Sequence, residues 1–287
     1  MPTVYLNGQF LPLEAARVPV MDRGFLFGDG VYEVIPVYDR RPFRLEDHLA
    51  RLRASLDGIR LGDPHSAAEW TALIERIVGD APWPDLGVYL QVTRGPGPRD
   101  HAFPLEIRPT VFLMPLELPA PPPALIEHGV AAITAEDTRW SRCDIKATSL
   151  LANVLLRQLS VDAGCAETLL IRDGQLMEGS ASSVFLVRDG VLLAPPKTPL
   201  ILPGITYDVV LELAAAAHIP TAIRALSAAE LRDADEVWIT SSTKEVLAVT
   251  RLDGTPVGNG QPGPIYRRMI ALYQTYKHTV MRGKAAP

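Results

Sequence analysis

Pro115-Leu116-Glu117-Leu118-Pro119-Ala120-Pro121-Pro122-Pro123 divides the sequence in two. Proline fixes φ and removes a backbone donor, so a run this dense is expected to continue neither strand nor helix and reads as a semi-rigid linker. It predicts a small N-terminal domain over 1–118, a linker at 119–123 and a larger domain over 124–287. A chain of 287 residues is long for one compact core and comfortable for two.

Upstream of the break, the β-rich run Val31 to Tyr38 ends in Asp39-Arg40-Arg41-Pro42, a strand and a turn. Leu45, Leu49, Leu52, Leu56 and Ile59 then mark one apolar face of a helix. Gly87 to Thr93 and Thr110 to Met114 read as further strands. The expectation is an α+β domain with sequential strands paired antiparallel. Downstream, Asp173-Gly174 and Asp189-Gly190 sit between apolar runs as tight hairpin turns. Helices are predicted from Ser149 to Ala163, from Tyr207 to His218 and from about Pro264 to Val280, and Ser227 with Glu230 has capping-box spacing.

Hydrophobic residues make up 47% and charged residues 21% of the chain, the composition of a folded globular protein. A net charge of −5 without a Lys/Arg-rich run argues against nucleic acid as a partner. The first residues lack a basic region followed by an apolar core, and the apolar stretches are too short to span a bilayer, so no membrane partner is expected. Cys143 and Cys165 are too few for a disulfide framework and lack metal spacing, which fits a cytoplasmic setting. His48, His65, His128, His218 and His278 show no ligand spacing either, so no metal is expected.

The chemistry gathers around Arg139-Trp140-Ser141-Arg142-Cys143-Asp144-Ile145-Lys146. A lysine closing a strand-like segment before a helix can enter a cleft, where desolvation frees its amine for Schiff-base chemistry; alone, such a lysine is more often a solvated surface residue. Glu178, in Glu178-Gly179-Ser180-Ala181-Ser182-Ser183, is an acid among small residues that let a ring approach the backbone. Such an acid suits a pyridine nitrogen that must stay protonated, although a turn glutamate is the plainer reading. In Leu202-Pro203-Gly204-Ile205-Thr206-Tyr207-Asp208, a helix start with Thr206 placed to cap it offers free amides to a phosphate. Ser241-Ser242-Thr243 would add hydroxyls.

These segments, with Asp22-Arg23-Gly24-Phe25-Leu26-Phe27-Gly28-Asp29-Gly30-Val31-Tyr32-Glu33, resemble the fold-type IV pyridoxal phosphate enzymes in order along nearly the whole chain. That group includes branched-chain aminotransferases, D-amino-acid aminotransferases and aminodeoxychorismate lyases. The resemblance implies a two-domain α+β fold: a small α/β domain, a larger β-barrel-like domain with flanking helices, and the cofactor in the cleft between them. It implies pyridoxal 5′-phosphate held on Lys146 as the Schiff-base lysine and proton carrier, with Glu178 on the ring nitrogen. Arg51 is implied as a phosphate ligand together with Ile205, Thr206, Ser242 and Thr243, and Leu202 as the residue backing the ring. The segment Arg94 to Pro104 resembles the D-amino-acid branch, whose Arg-x-His pair and tyrosine trap the substrate α-carboxylate; here these are Arg99, His101 and Tyr32. A solvated loop is the plainer reading of so much Pro, Gly and charge, and Asp100 between the pair departs from an anion trap.

The implied reaction is amino transfer between a D-amino acid of the D-alanine or D-glutamate type and a 2-oxo acid, 2-oxoglutarate or pyruvate. The alternatives are a branched-chain L-aminotransferase or a pyridoxal phosphate lyase of the aminodeoxychorismate-lyase kind. The resemblance also implies a homodimer with an active site shared between subunits.

Overall fold

The computed structural model describes residues 2–285. The chain forms two compact units: one runs to Pro119 and takes back Ile145–Leu150, and the other holds Ala120–Asp144 and the chain from Leu151 on.

The first unit contains β1 (Thr3–Leu6), β2 (Gln9–Pro12), α1 (Arg23–Phe27), β3 (Gly30–Tyr38), β4 (Arg41–Pro42), α2 (Leu45–Gly58), α3 (Ala67–Asp80), β5 (Leu86–Thr93) and β6 (Thr110–Glu117). Its sheet runs β2-β1-β6-β5-β3-β4, and every pair is antiparallel. The leucine stripe foreseen on α2 buries Leu49, Leu52 and Leu56, which join Ile35, Trp70 and Ile74 in the core. Ser66 and Glu69 form a reciprocal capping box that starts α3, an element the sequence reading passed over.

Pro115 does not end β6. The strand continues through it to Glu117, with Pro115 opposite Val88. β1 covers β6 only at Phe112 and Leu113, so the far side of the strand at Pro115 is an edge, where a missing N–H breaks no ladder. Irregular chain is confined to the residues between Glu117 and Pro123, where α4 (Pro123–His128) begins with proline in its first turn.

The second unit continues with β7 (Val130–Glu136), α5 (Leu151–Asp162), β8 (Glu167–Arg172), β9 (Gln175–Gly179), β10 (Ser183–Arg188), β11 (Val191–Ala194) and α6 (Ile205–Ala216). It ends with β12 (Thr221–Ile223), α7 (Ala228–Arg232), β13 (Glu236–Ser241), β14 (Glu245–Leu252), β15 (Thr255–Pro256) and α8 (Pro264–Tyr276). The strand order is β12-β11-β10-β13-β14-β7-β8-β9, with β15 on β14. β9 closes that order and β10 stands third from its start, yet only Ser180-Ala181-Ser182 separates them in the chain. The Gly179 N–H donates to the Ser182 carbonyl at 2.7 Å across this gap. The sheet therefore curls on itself into a half-barrel. Asp173-Gly174 and Asp189-Gly190 both have positive φ at each position, the twist that suits the β8–β9 and β10–β11 hairpins. Ser227 and Glu230 form the expected capping box on α7.

Candidate active site

Lys146 lies on an irregular segment, not on a strand. Residues 145–150, expected with the second domain, belong to the first unit. The reason is backbone pairing: the Tyr32 N–H donates to the Lys146 carbonyl at 3.0 Å and the Thr148 N–H to the Gly30 carbonyl at 2.9 Å. β4 pairs only with Val37 and Tyr38, so this return of the chain supplies partners along β3 that β4 does not. The Lys146 N–H donates to Ser55 Oγ of α2 at 3.1 Å; the residue is half-buried, and its amine stands 4.2 Å from the Tyr32 ring centroid.

Glu33 follows Tyr32 and, by strand alternation, turns to the helix-packed face. It is fully buried there. Arg51 Nε and Nη2 donate to its two oxygens at 2.7 Å each, and His48 Nδ1 lies 2.8 Å from Oε2. Burial alone would raise the Glu33 carboxyl, but Arg51 and then His48 hold it far below the ordinary carboxylate range. Burial pushes His48 down despite Glu33, so it is the neutral member of the cluster. The pair fixes the Arg51 guanidinium on α2, whereas Arg53 is 56% exposed beside Asp63.

Glu178, at the end of β9, is buried in the second unit. Arg139 Nη1 donates to its Oε1, and the Leu202 N–H donates to both carboxylate oxygens at 3.1 Å. Asp137 grips Arg139 from the other side, with Oδ1 accepting from Nε at 2.9 Å and Oδ2 from Nη2 at 3.0 Å. Burial pushes Glu178 up to about 7 against the pull of Arg139 and the Leu202 amide. Arg139, opposed by its own burial, is still held above its ordinary value by Asp137 and Glu178. The two shifts describe one pair from opposite sides. Every donor aims at a carboxylate oxygen, so an ionised Glu178 beside a protonated Arg139 is the state the geometry supports. A Cβ on Gly179 would meet Ser182 Oγ at 2.3 Å, so the tight approach beside Glu178 requires glycine.

Thr206 does not cap α6. Gly204 is the N-cap and makes no side-chain cap hydrogen bond, while Ile205 and Thr206 are buried in the first turn. A Cβ on Gly204 would meet Ser183 Oγ at 2.7 Å, and Ser183 pairs with Thr240 on β13. The Ser241-Ser242-Thr243 turn follows at once, so the helix start and these hydroxyls share one end of the sheet. Thr240 Oγ1 is buried there without a hydrogen-bond partner, as is His48 Nε2 in the other unit. The second unit offers uncapped amides, neighbouring hydroxyls and a buried acid, and the first offers a guanidinium and a lysine amine; each is a group that suits pyridoxal phosphate.

Arg99 and His101 are exposed on the loop after β5. Asp100 Oδ1 accepts from the Ala102 N–H at 3.2 Å, so this acid is turned into its own loop. Sequence reasoning missed Arg139, Asp137 and the Glu33–His48 partnership. Arg139 stood in the quoted lysine segment, but an arginine two residues after an aspartate carries no mark of burial.

The sequence profile of amino-transferase class IV matches residues 30–252, and this chain belongs to that family. It is 41% identical to a D-alanine aminotransferase of Bacillus licheniformis over 273 residues, covering 94% of this chain and 95% of that protein. A D-alanine aminotransferase of Staphylococcus epidermidis is 37% identical over 277 residues, covering 96% and 98%. Among solved structures, the Escherichia coli branched-chain amino acid aminotransferase superposes with a TM-score of 0.91 at 26% identity, covering 99% of this chain and 96% of that one. The T.th. branched-chain amino acid aminotransferase with pyridoxamine 5′-phosphate gives 0.90 at 26%, covering 99% and 95%.

Proposed function

We propose that the chain is a pyridoxal phosphate-dependent D-amino-acid aminotransferase, passing an amino group from D-alanine or D-glutamate to a 2-oxo acid such as 2-oxoglutarate or pyruvate. The observation that carries the choice of branch is the Arg99-Asp100-His101 loop, whose acid is turned into a local hydrogen bond while the Arg and His side chains stay exposed. The D-alanine aminotransferases support it at 41% and 37% identity.

When bound, the cofactor supplies an electron sink for the carbanion left at the substrate Cα. Lys146 would hold it through its amine, and that amine, once released by the incoming substrate amine, would carry the proton away from Cα. Glu178, kept ionised by Arg139 and the Leu202 amide, would hold the ring nitrogen protonated, and Leu202 would back the ring. Arg51, Ile205, Thr206, Ser242 and Thr243 take the phosphate. Tyr32, Arg99 and His101 take the substrate carboxylate, which decides which enantiomer presents its α-hydrogen to Lys146.

The proposal extends to a homodimer with a shared site. Leu151, Val154 and Leu155 on α5 are 72%, 60% and 60% exposed, an apolar surface of the kind a second copy covers. A cytoplasmic setting is part of the same reading; among the described residues no helix is long and apolar enough to cross a membrane.

The branched-chain L-aminotransferase reading draws on the shared scaffold, and the lyase reading on the shared cofactor residues. D-serine, whose β-hydroxyl can leave as water, separates transfer from elimination when given with and without 2-oxoglutarate. Transfer yields hydroxypyruvate and requires the acceptor, whereas elimination yields pyruvate and ammonia without one. Sustained release of pyruvate and ammonia without an acceptor would replace the transaminase with a lyase.

A further inference from the structure

The Asp22-Arg23-Gly24 motif has no part in the site described above, and the structure gives it one. Asp22 is buried; its Oδ1 accepts from the Gly24 N–H and Thr93 Oγ1, each at 2.8 Å, and its Oδ2 from Thr110 Oγ1 at 2.6 Å. This locks the start of α1 against the ends of β5 and β6, the two strands that the loop 95–104 connects. The Arg23 N–H donates to the Gly95 carbonyl at 2.9 Å, and the Gly97 N–H to the Met21 carbonyl at 3.2 Å. Gly95 has a φ of +84°, and a Cβ there would lie 1.8 Å from the Arg108 carbonyl oxygen, so the base of the loop admits only glycine.

The Arg23 side chain reaches further along the loop. It is 4% exposed, its Nε donates to Asp29 Oδ2 at 2.8 Å, its Nη1 to the Asp100 carbonyl at 2.5 Å and its Nη2 to the His101 carbonyl at 3.4 Å. Asp29 Oδ2 also accepts from Arg94 Nε at 2.8 Å, and Arg94 lies 3.8 Å from the Phe103 ring centroid. Phe27 closes the arrangement, with His101 5.5 Å away between ring centroids and the Arg99 guanidinium carbon at 5.8 Å. A planar guanidinium serves one carboxylate and two successive carbonyls at once; a lysine ammonium is a single point.

We infer that Arg23 is a positioning residue for the substrate carboxylate, holding the backbone at Asp100 and His101 so that the Arg99 and His101 side chains are presented together. The inference rests on the role proposed for Arg99 and His101. The loop has little apolar surface to bury, and ordering its residues costs backbone entropy. Arg23 offsets that cost before substrate arrives, which raises affinity without touching the ligand.

Two measurements on Arg23→Gln and Arg23→Lys test this. Hydrogen exchange needs no substrate: the amides of residues 98–103 should exchange faster in the Gln variant, less so in the Lys variant, with β3 and β5 unchanged. In the cofactor-loaded enzyme, Arg23→Gln should raise KM for D-alanine about 10-fold with kcat nearly kept. In an Arg99→Gln background the same substitution should add almost nothing. Unchanged loop exchange, an effect that persists in full without Arg99, or loss of protection throughout β3 and β5 in both variants would each overturn the inference. Faster loop exchange in a protein that ignores D-alanine would leave Arg23 as the loop's clasp and remove the substrate reading instead.

Discussion

Among single residues, Glu178 is the one whose titration the fold alters most usefully. Burial pushes its carboxyl up toward about 7, which would keep a proton in the folded chain that the unfolded chain has already released. Arg139 and the Leu202 amide oppose that by holding the carboxylate ionised. Glu178→Gln removes the titration. Compared by thermal melting without cofactor, the difference between variant and wild type should therefore stay flat from about pH 5 to about pH 8. A variant that gains on wild type as pH rises across that window would mean that burial prevails and Glu178 is protonated in the folded chain. Glu33 titrates in the opposite sense: its depressed value makes its contribution present above the ordinary carboxylate range and lost only on strong acidification. That such different carboxylates stand in one sequence was not legible, because partners such as Arg139 and His48 are set by tertiary contacts.

The elements were legible where the signal was local. The leucine period of α2, the Asp-Gly hairpins and the α7 capping box each state their geometry within a few residues. What needed the fold was placement. Pro115 reads as a break until β6 is seen to have an edge beside it, and Thr206 reads as a cap until Gly204 takes that position. Residues 145–150 read as part of the second domain because nothing in their sequence reveals the β3 backbone they pair with. The loop 95–104 raises a question of its own: a polar excursion clasped at its base, carrying Arg99 outward, is suited to serving a neighbouring subunit. Lys146→Ala and Arg99→Ala chains, each nearly inactive alone, should then complement when unfolded and reassociated together. Random pairing makes about half the dimers mixed, each with one intact site of two, so about a quarter of full activity should return. Mixed dimers without recovery would assign both residues to a site within one chain.

For the whole molecule, the fold admits more than one chemistry. The branched-chain enzymes superpose with TM-scores of 0.91 and 0.90, so architecture alone does not select the enantiomer. In the proposed function, what selects it is the side from which Tyr32, Arg99 and His101 grip the α-carboxylate. The most direct test mixes the cofactor-loaded enzyme with one amino acid at a time, without a 2-oxo acid acceptor, and follows the visible absorbance of the lysine-held cofactor. D-alanine should discharge that band into the spectrum of pyridoxamine phosphate in a single turnover, while L-leucine leaves it in place. Faster discharge by L-leucine would contradict the proposed D-specificity.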